Sequence, residues 1–106
     1  MSLADYQKRI DINHQQYAKP YWEPLSQLAR LTEEVGEVAR ILNYKYGDKP
    51  KKPGEEHHDL GDELADVMYV VLSLANSEKI NLDLSMDRAI NKLVTRDKDR
   101  FKKKQS

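Results

Sequence analysis

Four carboxylates fall into two matched pairs in this chain of 106 residues. Glu34 and Glu37 stand three apart within Leu31-Thr32-Glu33-Glu34-Val35-Gly36-Glu37-Val38-Ala39. Glu63 and Asp66 repeat that spacing within Leu60-Gly61-Asp62-Glu63-Leu64-Ala65-Asp66-Val67. On a helix, residues three apart share a face one turn apart, so each pair can aim two carboxylates at one place. Both pairs lie among apolar residues, where an acid is costly unless its charge is compensated. Two such helices side by side would gather four anionic oxygen donors. A hard divalent cation is the natural compensation, and all-oxygen ligation points to Mg²⁺, Mn²⁺ or Ca²⁺ rather than zinc.

A single pair of this kind is most often a solvated helix face. The second pair, on a separate apolar segment, shifts the balance toward a site. So do the small residues at each motif. Gly36 sits between the first two acids although glycine costs about 1 kcal/mol relative to alanine inside a helix. Gly61 precedes the second pair. A glycine kept at that cost has a packing or functional reason, such as close approach of a backbone or a ligand.

These acids need helices to present them, and the pattern predicts four. The first runs from about Leu3 to Lys19 and stops near Pro20. The second runs from about Pro24, well placed for a first helical position, to Lys45. Leu25, Leu28, Leu31, Val35, Val38, Ile41 and Leu42 recur along it at helical spacing. Gly47 to Gly54 carries the turn formers of a loop, long enough to lay the two acidic helices antiparallel. The third helix runs from about Glu56 to Glu78, and Val67 to Ala75 is apolar nearly all round. That predicts burial on every side, and in so small a domain we expect another subunit to supply part of the cover. The fourth runs from about Asp83 toward Lys103. No strand-like alternation of useful length appears, so the expected fold is all-α, a four-helix bundle in a single domain spanning residues 1–106 that forms an oligomer.

Composition narrows the possible roles. No cysteine is present, which removes disulfides, thiolate metal sites and a thiol nucleophile. The longest apolar run is far shorter than the roughly 20 residues that span a bilayer. The N-terminus lacks the basic-then-apolar pattern of a secretory signal. A cytoplasmic protein without membrane attachment is expected. Charged residues make up 34% of the chain at a net charge of zero, which argues against a dedicated nucleic-acid binder. The basic segments Lys45 to Lys52 and Arg96 to Lys104 read first as a solvated loop and tail. Beside an acid cluster they could also grip a polyphosphate.

Two chemistries suit acid clusters in helical bundles. A di-iron centre needs Glu-x-x-His on two helices, and only Glu55 and His58 match, once, at a loop edge. His14 stands alone and reads as a surface or packing residue. Metal-assisted attack of water on a phosphate needs carboxylates that leave room for substrate. Tyr21 and Trp22 could stack on a base, although packing roles are as common for them.

The acids also carry a resemblance. Glu33-Glu34-Val35-Gly36-Glu37 followed by Glu63-Leu64-Ala65-Asp66 resembles the Glu-Glu-x-x-Glu … Glu-x-x-Asp signature of MazG-like nucleotide pyrophosphohydrolases. The likeness extends to Tyr21-Trp22-x-Pro24-Leu25 ahead and Lys92-x-x-x-Arg96-Asp97-x-x-Arg100-Phe101 behind, and the length suits the stand-alone, YpjD-like branch. The resemblance implies a helical nucleoside triphosphate pyrophosphatase working as a dimer or tetramer. It implies Mg²⁺-dependent cleavage, with Mn²⁺ as a substitute, between the α- and β-phosphates to give monophosphate and pyrophosphate. By position it makes Glu34, Glu37, Glu63 and Asp66 metal ligands and Glu33 a further acid, for a second metal or for orienting water. It places Lys92 and Arg96 at the phosphates, while Trp22 stays the substrate-binding candidate on its capacity to stack on a base. A different reading is a non-catalytic helical oligomer whose acids hold a structural cation and whose tail meets a partner. Four ligand-type acids favour the enzyme, since a purely structural bundle gains more from apolar residues there.

Overall fold

Ser2 opens the first helix. Its hydroxyl accepts the Asp5 backbone N–H while the Asp5 carboxylate accepts the Ser2 N–H, both at 3.0 Å, a reciprocal capping box. The structure, a computed structural model, describes residues 1–50 and 59–105. It contains α1 (Leu3–His14), α2 (Pro24–Tyr46), α3 (Leu60–Ser77) and α4 (Leu82–Arg96), and no strand among the described residues. The expected all-α class is therefore met.

Three helix boundaries differ from expectation. α1 ends at His14 rather than Lys19. The Gln16 and Tyr17 N–H groups bond to the Asn13 and His14 carbonyls three residues back, tightening the chain into a turn. That turn brings Tyr21 back to donate to Asp11 at 2.5 Å. α3 begins at Leu60, where the Asp59 carboxylate accepts the Gly61 N–H at 2.8 Å as an N-cap. The predicted start at Glu56 and the Glu55 to His58 motif lie outside the described residues. α4 stops at Arg96 rather than running toward Lys103. Asp97 turns the chain and gathers Arg96 at 3.0 Å and Arg100 at 3.5 Å.

α3 is the centre of the molecule, packed against α2 along one side and α1 along another. α4 packs on α1. The Asp83 carboxylate accepts the Leu3 and Ala4 N–H groups, both at 3.1 Å, so the first turn of α4 caps the first turn of α1. Gln7 joins the same elements from inside. Its amide donates to Asn76 Oδ1 and the Ile80 carbonyl and accepts from the Leu82 N–H, and Asn76 donates to the Gln7 carbonyl. A buried amide satisfied on every side fixes one register rather than adding much net stability.

The core is small. Val70, Leu72 and Ala75 are its buried apolar residues. Within the chain, the burial expected for Val67 to Ala75 is partial. The chain's own α1 and α2 cover its most buried positions, while Met68 stays 43% exposed.

Further uncovered apolar surface lies on α2 and α4. The apolar series of α2 proves to be two stripes. Leu31, Val38 and Ile41 turn inward and are half-buried, whereas Leu25, Leu28, Val35 and Leu42 are exposed on the opposite side. α4 also leaves Leu84, Ile90, Leu93 and Val94 exposed.

Candidate active site

α2 and α3 run side by side as the expected antiparallel pair and bring acids from both into one place. Carboxylate oxygens of Glu34, Glu63 and Asp66 lie within 4.8 Å of one another. Glu63 is buried, at 6% exposure, while Glu34 is half-buried and Asp66 is exposed. The site is thus anchored in the helix interface and open at its rim. A purely oxygen donor set, drawn from two helices and partly withdrawn from water, fits a hard divalent cation. These three are the residues suited to hold one.

The structure does not bring all the predicted residues together. Glu37 lies one turn beyond Glu34 on the same face but outside that cluster. Its carboxylate is 3.7 Å from the Arg40 guanidinium, with both side chains partly exposed. Glu33 is exposed beside Glu34. Lys92 and Arg96 lie on α4, which packs on α1 and makes no substantial contact with α2 or α3 among the described residues. The Arg96 guanidinium is held by the Asp97 carboxylate through bonds of 3.0 and 3.2 Å. Gly36 has open space where a Cβ would stand, so no neighbour among the described residues requires it.

One turn from the acids, the groove changes character. Arg30 precedes Glu34 by a turn and Tyr69 follows Asp66 by a turn. The Arg30 guanidinium lies 5.5 Å from the ring centres of both Trp22 and Tyr69. Trp22 itself is 53% exposed. The Tyr69 hydroxyl meets His14 Nε2 at 2.6 Å. His14 is therefore a half-buried residue bonded to α3, not an isolated one on the surface. The Tyr21 ring lies 4.9 Å from that of His14. Burial, aided by the bond to Asp11, pushes the Tyr21 phenol up to about 12. The same bond, with one from Gln15, holds the Asp11 carboxyl below its usual value.

Reading outward from the acids by one turn would have found Arg30 and Tyr69. His14 and Gln27 gave no such signal, because the contacts that place them cross between helices.

Comparison with known proteins agrees with this geometry. The family model of the MazG nucleotide pyrophosphohydrolase domain matches residues 23–101. The uncharacterised protein YpjD of Bacillus subtilis (strain 168) is 43% identical over 104 residues, covering 98% of this chain and 94% of its own length. Its crystal structure superposes with a TM-score of 0.77 at 41% identity, covering 87% of this chain and 94% of that one. The crystal structure of the Bacillus-conserved MazG protein, a nucleotide pyrophosphohydrolase, also gives 0.77, at 38% identity over 93% of this chain and 96% of that one. The acid signature, the four-helix layout and these likenesses have one meaning: the chain belongs to the MazG nucleotide pyrophosphohydrolase family and is a hydrolase of that type.

Proposed function

We propose that this hydrolase cleaves nucleoside triphosphates between the α- and β-phosphates with Mg²⁺, giving a nucleoside monophosphate and pyrophosphate, and so clears unwanted nucleotides from the cytoplasmic pool. The observation that carries this reading is the convergence of Glu34, Glu63 and Asp66 from two helices in a chain of this family. Mn²⁺ would substitute, since the donors are the same hard oxygens.

A bound divalent cation would polarise a phosphoryl oxygen and lower the pKa of a water. The chain's own residues do the rest. Glu34, Glu63 and Asp66 hold the cation, and Glu37 extends the donor set along α2. Glu33, exposed next to them, orients the attacking water or serves a second cation. Lys92 and Arg96 neutralise the phosphates. Because α4 makes no substantial contact with the acid-bearing helices among the described residues, they would act from a neighbouring subunit.

A dimer or tetramer is part of the proposal. The radius of gyration is 17.8 Å, against about 13 Å for a compact chain of this length. The accessible surface is 8667 Å², against about 6,100 Å² for a compact monomer of this mass. The outward stripe of α2 supplies a seam: Leu25, Leu28, Thr32, Val35, Ala39, Leu42 and Tyr46 alternate in steps of three and four, the spacing that packs one helix on another at a shallow angle. Gly36, open beside that seam, leaves room for a partner's backbone.

Incubating the protein with a panel of canonical and damaged nucleotides, with Mg²⁺ or with a chelator, tests the reading. Pyrophosphate release that the chelator abolishes is expected. A protein that binds divalent cations yet releases no pyrophosphate from any nucleotide would instead be a cation-binding helical oligomer.

A further inference from the structure

The basic segment that begins at Lys45 has no part in the proposed reaction, yet its described residues meet the line of acids on α2. Arg40 follows Glu37 by one turn. Helical side chains lean toward the N-terminus, and the Arg40 guanidinium lies 3.7 Å from the Glu37 carboxylate. Its Nε donates to the Tyr44 hydroxyl at 3.3 Å, and its central carbon stands 5.7 Å from the centre of the Tyr44 ring. Tyr44 is half-buried and so gives the guanidinium a fixed seat. Just past the end of α2, Lys49 brings its ammonium to 5.3 Å from the same ring. Among the described residues Lys49 pairs with no carboxylate. Two cations therefore gather on one tyrosine at the edge of the acid site.

The helix dipole accounts for Lys45, which lies in the last turn of α2. It does not account for Arg40, more than a turn earlier, because its pull fades within that last turn. The exposed pair with Glu37 adds little to stability, whereas ordering a long arginine side chain costs entropy. An arginine held in this way is set for a ligand, and its planar donor fork matches phosphate.

We propose that Arg40 and Lys49, set on Tyr44, bind the terminal phosphate of the substrate and so select nucleoside triphosphates over diphosphates. This deepens the proposed function and rests on it. None of the three residues belongs to the acid signature or to its flanking segments, and all three lie in the subunit that holds the acids. Arg40 stands about 9 Å of helix beyond Glu34 and about 4.5 Å beyond Glu37. A triphosphate with its α-phosphate at Glu34, Glu63 and Asp66, running along α2 past Glu37, brings its terminal phosphate to Arg40. Glu37, once it serves a cation, no longer needs Arg40 as its counter-charge, and the guanidinium turns to the phosphate. As the water oxygen bonds to the α-phosphorus and the bond to the bridging oxygen breaks, the released charge resides on pyrophosphate, where these cations already stand. A diphosphate ends short of them.

The test uses α,β-methylene nucleotides, in which carbon replaces the bridging oxygen so that the bond cannot be cleaved. Calorimetry with Mg²⁺ and the full-length protein compares the tri- and diphosphate analogues of one nucleoside, for each common base in turn. With the base that binds best, the triphosphate analogue should bind about tenfold or more tighter than the diphosphate. Arg40→Gln should remove most of that gap by weakening the triphosphate alone, and Lys49→Gln should remove part of it, with circular dichroism unchanged. A merely structural role would leave the ratio between the two analogues where it was.

Equal binding of the two analogues with every base would overturn the proposal, and so would a gap that survives Arg40→Gln. An Arg40→Gln variant that loses both analogues alike would overturn it too, since Arg40 would then act through Glu37. None of these outcomes touches hydrolysis itself. Conversely, a gap that depends on Arg40 in a protein that releases no pyrophosphate would keep the subsite and reject the reaction.

Discussion

At the residue scale, the acids divide by position, and their substitutions should divide the same way. Glu34→Gln and Asp66→Asn remove charge from a crowded carboxylate cluster. Both should lose activity by about a hundredfold or more, beyond the roughly 10–100-fold that supporting partners of a metal ligand carry. Without metal both should melt at or above the wild-type temperature, because acid–acid repulsion is relieved. Glu37→Gln should also lose activity at unchanged stability, since its exposed pair with Arg40 is worth about 0–1 kcal/mol. Steady-state rates and metal-free melting curves check all three.

Tyr21 offers a second test at this scale. Tyr21→Phe deletes the bond that lowers the Asp11 pKa and should cost about 0.5–1.5 kcal/mol near neutral pH. A depressed carboxyl pKa contributes stability that is present above about 3.9 and lost as pH falls through the folded value. The wild-type advantage should therefore shrink in acid below about pH 4, as followed by melting temperature across pH.

At the element scale, the turn that ends α3 carries the only non-glycine residue with positive φ among the described residues, Lys79 at 57°. The Ile80 N–H bonds to the Ala75 carbonyl and the Lys79 N–H to the Asn76 carbonyl, the paired bonds of a Schellman cap. A side chain there costs about 1–2 kcal/mol, partly offset in glycine by lost chain entropy. Lys79→Gly should raise the melting temperature by a few degrees, at about 4–8 °C per kcal/mol.

The elements also show what the sequence could carry. Helical spacing and Pro24 located α2 closely, and the acids predicted which faces of α2 and α3 would meet. The ends of α1 and α4 were not legible. The capping by Asp97 and the return of Tyr21 to Asp11 depend on which polar residue wins a local competition, and helical spacing does not record that. Nor could one sequence separate the two stripes of α2, because Leu31 and Leu28 have the same hydrophobicity and differ only in what stands opposite. The cavity behind Trp22, lined by His14, Tyr21, Gln27, Arg30 and Tyr69 among others, is assembled from residues on three helices and a connecting segment, and no single stretch encodes it.

At the scale of the whole molecule, the open form of the chain is the dominant fact. An extended α2–α3 pair with an apolar outer stripe, and an α4 whose substantial contacts among the described residues are with α1, leave more surface than a compact chain of this mass exposes when it stands by itself. Val35→Glu sets a charge in the middle of the α2 seam, where a partner would strip its water. It should reduce the particle mass in light scattering at micromolar concentration to that of one chain or a smaller oligomer, while circular dichroism stays helical. If Lys92 and Arg96 act across the boundary, activity should fall with assembly. Wild-type protein that is already monomeric would remove that role from both residues.

The most direct measurement is hydrolysis of a nucleoside triphosphate with Mg²⁺ in ¹⁸O-water, with each product weighed by mass spectrometry. Water attacking the α-phosphorus puts the label in the nucleoside monophosphate and leaves pyrophosphate unlabelled, and that is the predicted result. Label in orthophosphate, with nucleoside diphosphate as the other product, would contradict cleavage between the α- and β-phosphates.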